Sequence, residues 1–256
     1  MFQALRRIRQ NLSGKTDYKT LALFIIGELF LVVFGILIAV QIDDWYKQKE
    51  TEEIVHTYLE NLLAEYQENL KLLDASMQVN ENNLKSANQL ANIINSKNSD
   101  VSASEISILL ATSFSTPVQY NPTSAVLHEM INSGDLKNIR NAELRSKLTQ
   151  WEPIIERVKT QETILFRDRQ NCMNRIREIG SMRVILDEVG ASTNFLGLEK
   201  GEPNEYNLDL LDSRIFENDL LLFITTSKFL QIGAYNSLKE DIDILIDLIQ
   251  TELDQE

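Results

Sequence analysis

Hydrophobic positions fall along this chain in two patterns, first a solid block and then a regular beat. From Leu21 to Ile42 every position is plainly apolar except Gly27, Glu28, Gly35 and Gln41. At roughly 1.5 Å per residue this block reaches about 33 Å, enough to cross a bilayer core of about 30 Å. From Trp45 onward the apolar residues alternate spacings of three and four: Val55, Leu59, Leu62, Tyr66, Leu70, Leu73, Met77, Leu84, Ala87, Ala91 and Ile94, with Asn80 in one slot. That is the seam of a helix packed along its length. Neither Gly nor Pro interrupts 36–116, so the spacing predicts one helix running from the block to about Ser96.

"NSKNSDVSAS" then breaks the beat, and Ser102-Ala-Ser-Glu105 reads as a capping box for a short helix carrying Ile106, Leu109 and Leu110. "TPVQYNPT" is rich in turn residues, and a helix near Ser124–Ser133 follows, stopped by Gly134. A second long helix is predicted after Asn141, a suitable N-cap, with the seam Leu144, Leu148, Trp151, Ile155, Val158, Leu165, Cys172, Ile176, Ile179 and Leu186. Glu162 and Arg169 occupy two polar slots on it, either pairing inside the bundle or lying at the seam's edge. Pro153 should kink this helix or restart it. Residues 187–207 read as a long loop with Phe195, Leu196 and Leu198 placed to touch lipid or the bundle base. A third long helix carries Leu211, Ile215, Leu222, Phe229, Ile232, Tyr235, Leu238, Ile242, Leu245, Ile249 and Leu253.

The fold class expected is all-α: a transmembrane helix (21–42) behind a basic segment (1–20), continuing into a helical-bundle domain (43–256) of three long helices with a short helical cap. Counting helices as first away, second back and third away puts the 96–140 insertion at the far tip and the 187–207 loop near the membrane.

Charge supplies orientation. The net charge is −13, yet Arg6, Arg7, Arg9, Lys15 and Lys19 stand against Asp17 alone in the first twenty residues. Lys and Arg before the span and Asp43 and Asp44 just after it place the amino terminus in the cytoplasm and the body outside, an inner-membrane topology with the body in the periplasm. "IAVQIDDW" offers no small-x-small site for signal cleavage, so an uncleaved anchor is expected. Arg6, Arg7 and Arg9 between Phe2, Leu5, Ile8 and Leu12 read as a short interfacial helix on anionic lipid, or as charges that only set topology. The acidic body, 20 basic against 36 acidic side chains after the span, argues against nucleic acid.

Glu28 lies near the centre of the span, where a carboxylate costs several kcal/mol unless it is protonated, paired or wet. It shares a helix face with Val32, Gly35, Ala39 and Ile42, and Gly35-x-x-x-Ala39 permits close approach of a second helix. A helix–helix contact with Glu28 donating across it is the simplest reading; snorkelling towards the cytoplasmic face is the alternative. The partners expected are the lipid bilayer and, through this helix, a second copy or another membrane protein.

"RRIRQNL", "IGELFLVVFGILIAVQIDDW" and "EMINSGDLKNIRNAELRSKL" together resemble a family of uncharacterised single-pass membrane proteins, a domain of unknown function common in Bacteroidota. The resemblance lies in Gly27, Glu28, Gly35, Ala39, Gln41 and Trp45, and in Ser133, Gly134, Leu136, Ile139, Leu144 and Arg145. It implies a membrane anchor and a helical body, and no activity.

No nucleophile–base pair, metal-ligand spacing or phosphate loop stands out, so no catalytic, cofactor or metal residue is assigned and an enzyme is not expected. His56 and His128 have no Cys or His at ligand spacing, and Cys172 reads as buried filler. The expectation is a membrane-anchored interaction or scaffold protein, with an extracytoplasmic sensor acting through a partner as the alternative.

Overall fold

A computed structural model describes residues 18–96, 100–202 and 204–255, all of them helical or irregular, with no strand among them. In chain order the helices are α1 (Tyr18–Ser96), α2 (Ala103–Phe114), α3 (Ala125–Ser133), α4 (Ala142–Ile179), α5 (Met182–Glu188), α6 (Ala191–Asn194), α7 (Arg214–Phe229) and α8 (Asn236–Asp254). Short 3-10 turns lie at Asp135–Asn138 and Tyr206–Asp212, and a π-helical turn, Leu230–Tyr235, joins α7 to α8. The chain divides into two units, Met1–His56 and Thr57–Glu256.

In the first unit, the described side chains of the apolar block on α1 are all exposed, including every one from Ile25 on to Tyr46 just beyond it. It is long and apolar enough to cross a membrane. The helix passes through Gly27 and Gly35, where an added Cβ would meet no atom within 4 Å. Trp45 and Tyr46 follow the block with rings edge to face at 5.1 Å, and Lys49 Nζ lies 5.8 Å from the Trp45 ring.

In the second unit α1 buries Leu59, Leu62, Tyr66, Leu73, Asn80, Leu84 and Ala87 on the predicted beat, whereas Leu70, Met77, Ala91 and Ile94 are only half-buried and Asn69, Ser76 and Leu90 are buried instead. The caps also form as read. Ser102 Oγ accepts from Glu105 N, the Asn141 side chain accepts from Glu143 N and Leu144 N, and Gly134 turns left-handed at φ 81° to end α3. Pro153 sits inside an unbroken α4 on its exposed side, where the carbonyl it leaves free can turn to water.

Three expectations are corrected. First, α4 does not reach Leu186. It ends at Ile179, because the Asn207 side chain closes on the turn: its Oδ1 accepts from Ser181 N at 2.7 Å, and its Nδ2 donates to Ser107 Oγ at 2.8 Å. A Cβ on Gly180 would sit 2.8 Å from that Oδ1, so the close approach requires glycine here. Ser181 then caps α5, and residues 187–207 contain the end of α5, all of α6 and the start of a 3-10 turn rather than one open loop. Phe195, Leu196 and Leu198 are exposed rather than packed on the body.

Second, α4 does not return along α1. The return is made by the extended stretch 115–124, held by polar residues one heptad apart on α1. Asn83 donates to Thr116 O, Ser76 to Gln119 O, and Asn69 both donates to Thr123 O and accepts from Thr123 N, all at 2.8–3.1 Å. A stretch without secondary structure must satisfy its backbone groups elsewhere, and these side chains do so. Further down, Glu65 accepts from Val126 N. Helix α4 therefore starts beside the Thr57 end of α1 and runs parallel to it: Trp151 meets Tyr66, Glu162 meets Tyr120, and Arg169 Nη2 donates to Ser115 O. The α7–α8 run comes back, with Asp219 on Arg175, Ser227 on Asn80, Lys239 on Asp74 and Glu252 accepting from Arg140 N. Residues 182–212 thus lie with α2 at the Ser96 end of this unit, as Ser104–Glu188 and Ser107–Asn207 contacts record, while α3 and the end of α8 lie towards Thr57.

Third, the seam assigned to α7 is one residue out of phase. Leu211 is half-buried, and Ile215, Leu222, Phe229 and Ile232 are exposed; Phe216, Leu220, Phe223, Ser227 and Leu230 are buried instead. The cause is the π turn. Its wider ring adds one residue, so the buried stripe passes from Leu230 to Tyr235, then on to Leu238, Ile242, Leu245 and Ile249. An unbroken α beat traced backward from Tyr235 lands one residue early at each heptad.

Candidate functional site

The π turn also lines a concavity on the second unit. An α-helix of uniform pitch packs closely on its neighbour, whereas the extra residue here displaces one turn. Small side chains, Gly233, Ala234 and Ser237, form that turn's side of the groove, and nothing fills the space above Gly233. Ile154, Arg157, Val158 and Gln161 of α4 form the opposite side, with Phe229 and Asp241 at the ends. The groove holds about 600 Å³ and opens to solvent. Its lips carry opposite charges, Arg157 and Asp241, the latter bound to Lys147 at 2.7 Å. Such a lining suits a small dipolar molecule or a polar side chain; it has no nucleophile–base pair for covalent chemistry.

Behind the turn lies a buried acid. Glu162 Oε1 accepts from Tyr120 N at 2.8 Å and from the Tyr235 hydroxyl at 2.5 Å. Burial pushes the Glu162 carboxyl above its ordinary range, against the two donors, which favour the charged form. The Tyr235 hydroxyl is pushed up by its own burial and by the adjacent Glu162. Glu162 therefore pairs inside the body, the first of the two possibilities its seam slot allowed. Its contacts join α4, the 115–124 stretch and the π turn. A second polar link does the same for α1: Asn80 Nδ2 donates to Ser227 O and Gln231 Oε1, and Ser227 Oγ donates to Asn80 Oδ1. Arg169 is only half-buried, nearer the seam's edge.

The positions singled out in the sequence lie elsewhere. Glu28, Val32, Gly35 and Ala39 are on the exposed apolar part of α1, on one face, with no protein atom against them. Arg6, Arg7 and Arg9 lie outside the described residues. Cys172 is fully buried, and burial raises its thiol well above the ordinary value, which suppresses the reactive thiolate. Among the described residues no three His, Cys, Asp or Glu side chains gather as a metal site. Sequence reading missed the groove, although one signal existed: Gly233 and Ala234 stand mid-helix where the apolar phase changes.

No curated protein and no solved structure matches the chain. Residues 28–167, more than half of its length, match the profile described as a family of unknown function, DUF6090, and the chain belongs to that family.

Proposed function

We propose that this protein is a membrane-anchored interaction or scaffold protein without catalytic activity of its own. The observation that carries the reading is the apolar part of α1, exposed on every side from Ile25 to Ile42, which water would not tolerate and lipid would. Trp45 and Tyr46 at its end suit the headgroup layer. The Lys and Arg excess before Leu21 favours an amino terminus in the cytoplasm and a body, Thr57–Glu256, in the periplasm of an inner-membrane protein. We read that body as a bundle of three long helical runs, α1, α4 and α7–α8, with short helices at either end.

Reporter fusions test the topology. Alkaline phosphatase fused after Glu256 should be active and a fluorescent protein at the same place dark; the reverse result would defeat the proposal. Within the membrane, Glu28, Val32, Gly35 and Ala39 are the face we assign to a second helix. Glu28→Leu should weaken crosslinked assemblies in membranes while leaving the body folded, and unchanged crosslinking would remove that face from consideration.

The groove beside the π turn favours a second reading, a sensor that binds a small molecule and acts through a partner. A ligand screen by thermal shift on the full chain separates the two readings, since a sensor's body should be stabilised by at least one compound.

A further inference from the structure

We infer that a second copy of this chain covers the outer face of α7. Ile215, Leu222 and Phe229 recur there at heptad spacing, joined by Leu221 and Ile232, and they are 54, 53, 65, 47 and 57 % exposed in that order. The opposite face of α7 already supplies the core, through Phe216, Leu220, Phe223 and Leu230, so folding leaves the outer stripe without a partner. Taking roughly 200 Å² for the aromatic Phe229 and somewhat less for the four aliphatic residues, these exposures leave on the order of 500 Å² per copy. Two copies sharing the face would bury about 1,000 Å², the size at which a specific interface begins.

Charge identifies the occupant. The chain carries −13, so two copies repel over most of their surfaces. Residues 220–235 hold a single charged side chain, Lys228, and Arg214 and Lys228 balance Glu217 and Asp219 over the whole of 214–235. Like therefore approaches like along this stripe with little charge penalty, and charge depletion at the centre is the mark of an interface core. A heptad stripe is also complementary to itself, as a two-fold contact demands.

This inference rests on the interaction-protein reading but not on the side of the membrane that holds the body. The test uses the full chain in isolated membranes, with added oxidant and Thr225→Cys at the middle of the stripe. Cys172 is buried and gives no background. Thr225→Cys should form a disulfide-linked dimer, Thr149→Cys on the exposed side of α4 should not, and adding Leu222→Glu and Phe229→Glu should reduce the dimer by about tenfold or more. Both glutamates replace exposed side chains, and an unchanged circular-dichroism melt confirms folding. No dimer from folded Thr225→Cys, equal dimer from Thr149→Cys, persistence in the glutamate variant, or a mixed disulfide with a different protein would each overturn the inference. A phosphatase fusion inactive at Glu256 would instead overturn the topology and leave this result standing.

Discussion

Trp151→Ala should lower the stability of the folded body by about 3–5 kcal/mol, the largest effect expected of any single substitution here. Trp151 is fully buried where α4 passes α1. Its ring stands edge to face with Tyr66 at 4.9 Å, and its indole N–H donates to Ser124 Oγ at 3.0 Å. One side chain thus ties α4 to α1 and to the residue that opens α3. Alanine removes the ring's buried area, leaves a cavity, and deprives Tyr66 of its aromatic partner. For a unit of this size the thermal midpoint should fall by roughly 10 °C, read by circular dichroism on the full chain in detergent. Tyr66→Phe is the contrast. The Tyr66 hydroxyl is buried with no hydrogen-bond partner, so its removal should leave the midpoint unchanged or slightly raised. A large loss from Tyr66→Phe, or none from Trp151→Ala, would show that this contact does not hold the helices together.

Local signals carried most of the helix boundaries. Asn141, Ser102 and Gly134 act through atoms two or three residues away, so their roles are written in short stretches of chain. Much of the seams of α1 and α4 was legible for the same reason: a helix of uniform pitch repeats its buried face, and Leu59, Leu62, Tyr66, Leu73, Leu84 and Ala87, like Leu144 through Val158, keep the beat. Long-range facts were not legible. Asn69, Ser76 and Asn83 look like solvated positions until the 115–124 stretch is laid against them, yet their bonds to its backbone decide the direction of α4. The π turn hid the α7 core in a similar way, because one inserted residue moves every earlier position to the other side of the stripe. The apolar residues taken for core on α7 turned out to be a second, outward stripe. The membrane face around Glu28 was readable as a pattern, since lipid-exposed helices announce themselves by composition; what meets that face lies in no local signal.

Glu162 makes the second large prediction, and its sign can be worked out. The folded-state carboxyl titrates above its ordinary value, chiefly because burial penalises the charge. Between the ordinary and the raised values the folded chain therefore binds more proton than the unfolded chain. Stability from this group is fully present below the ordinary carboxyl value and is lost as pH rises through the raised one. Glu162→Gln keeps an oxygen to accept from Tyr120 N and the Tyr235 hydroxyl but cannot ionise, so its stability should lack that fall across the same window. Glu162→Ala differs in kind. It leaves a buried backbone N–H and a buried hydroxyl without an acceptor, and should cost about 2–4 kcal/mol below the ordinary carboxyl value, a difference that narrows as pH rises and the natural chain loses the contribution of Glu162. Because Glu162 joins the 115–124 stretch to the π turn, Glu162→Ala should also speed amide hydrogen exchange at Tyr120 and across Leu230–Tyr235, where Glu162→Gln should not. Denaturant melts of the two variants and the natural chain from pH 4 to pH 8 decide the matter. If the glutamine variant lost stability with rising pH as steeply as the natural chain, the titrating group would be another carboxyl and this account of Glu162 would fail.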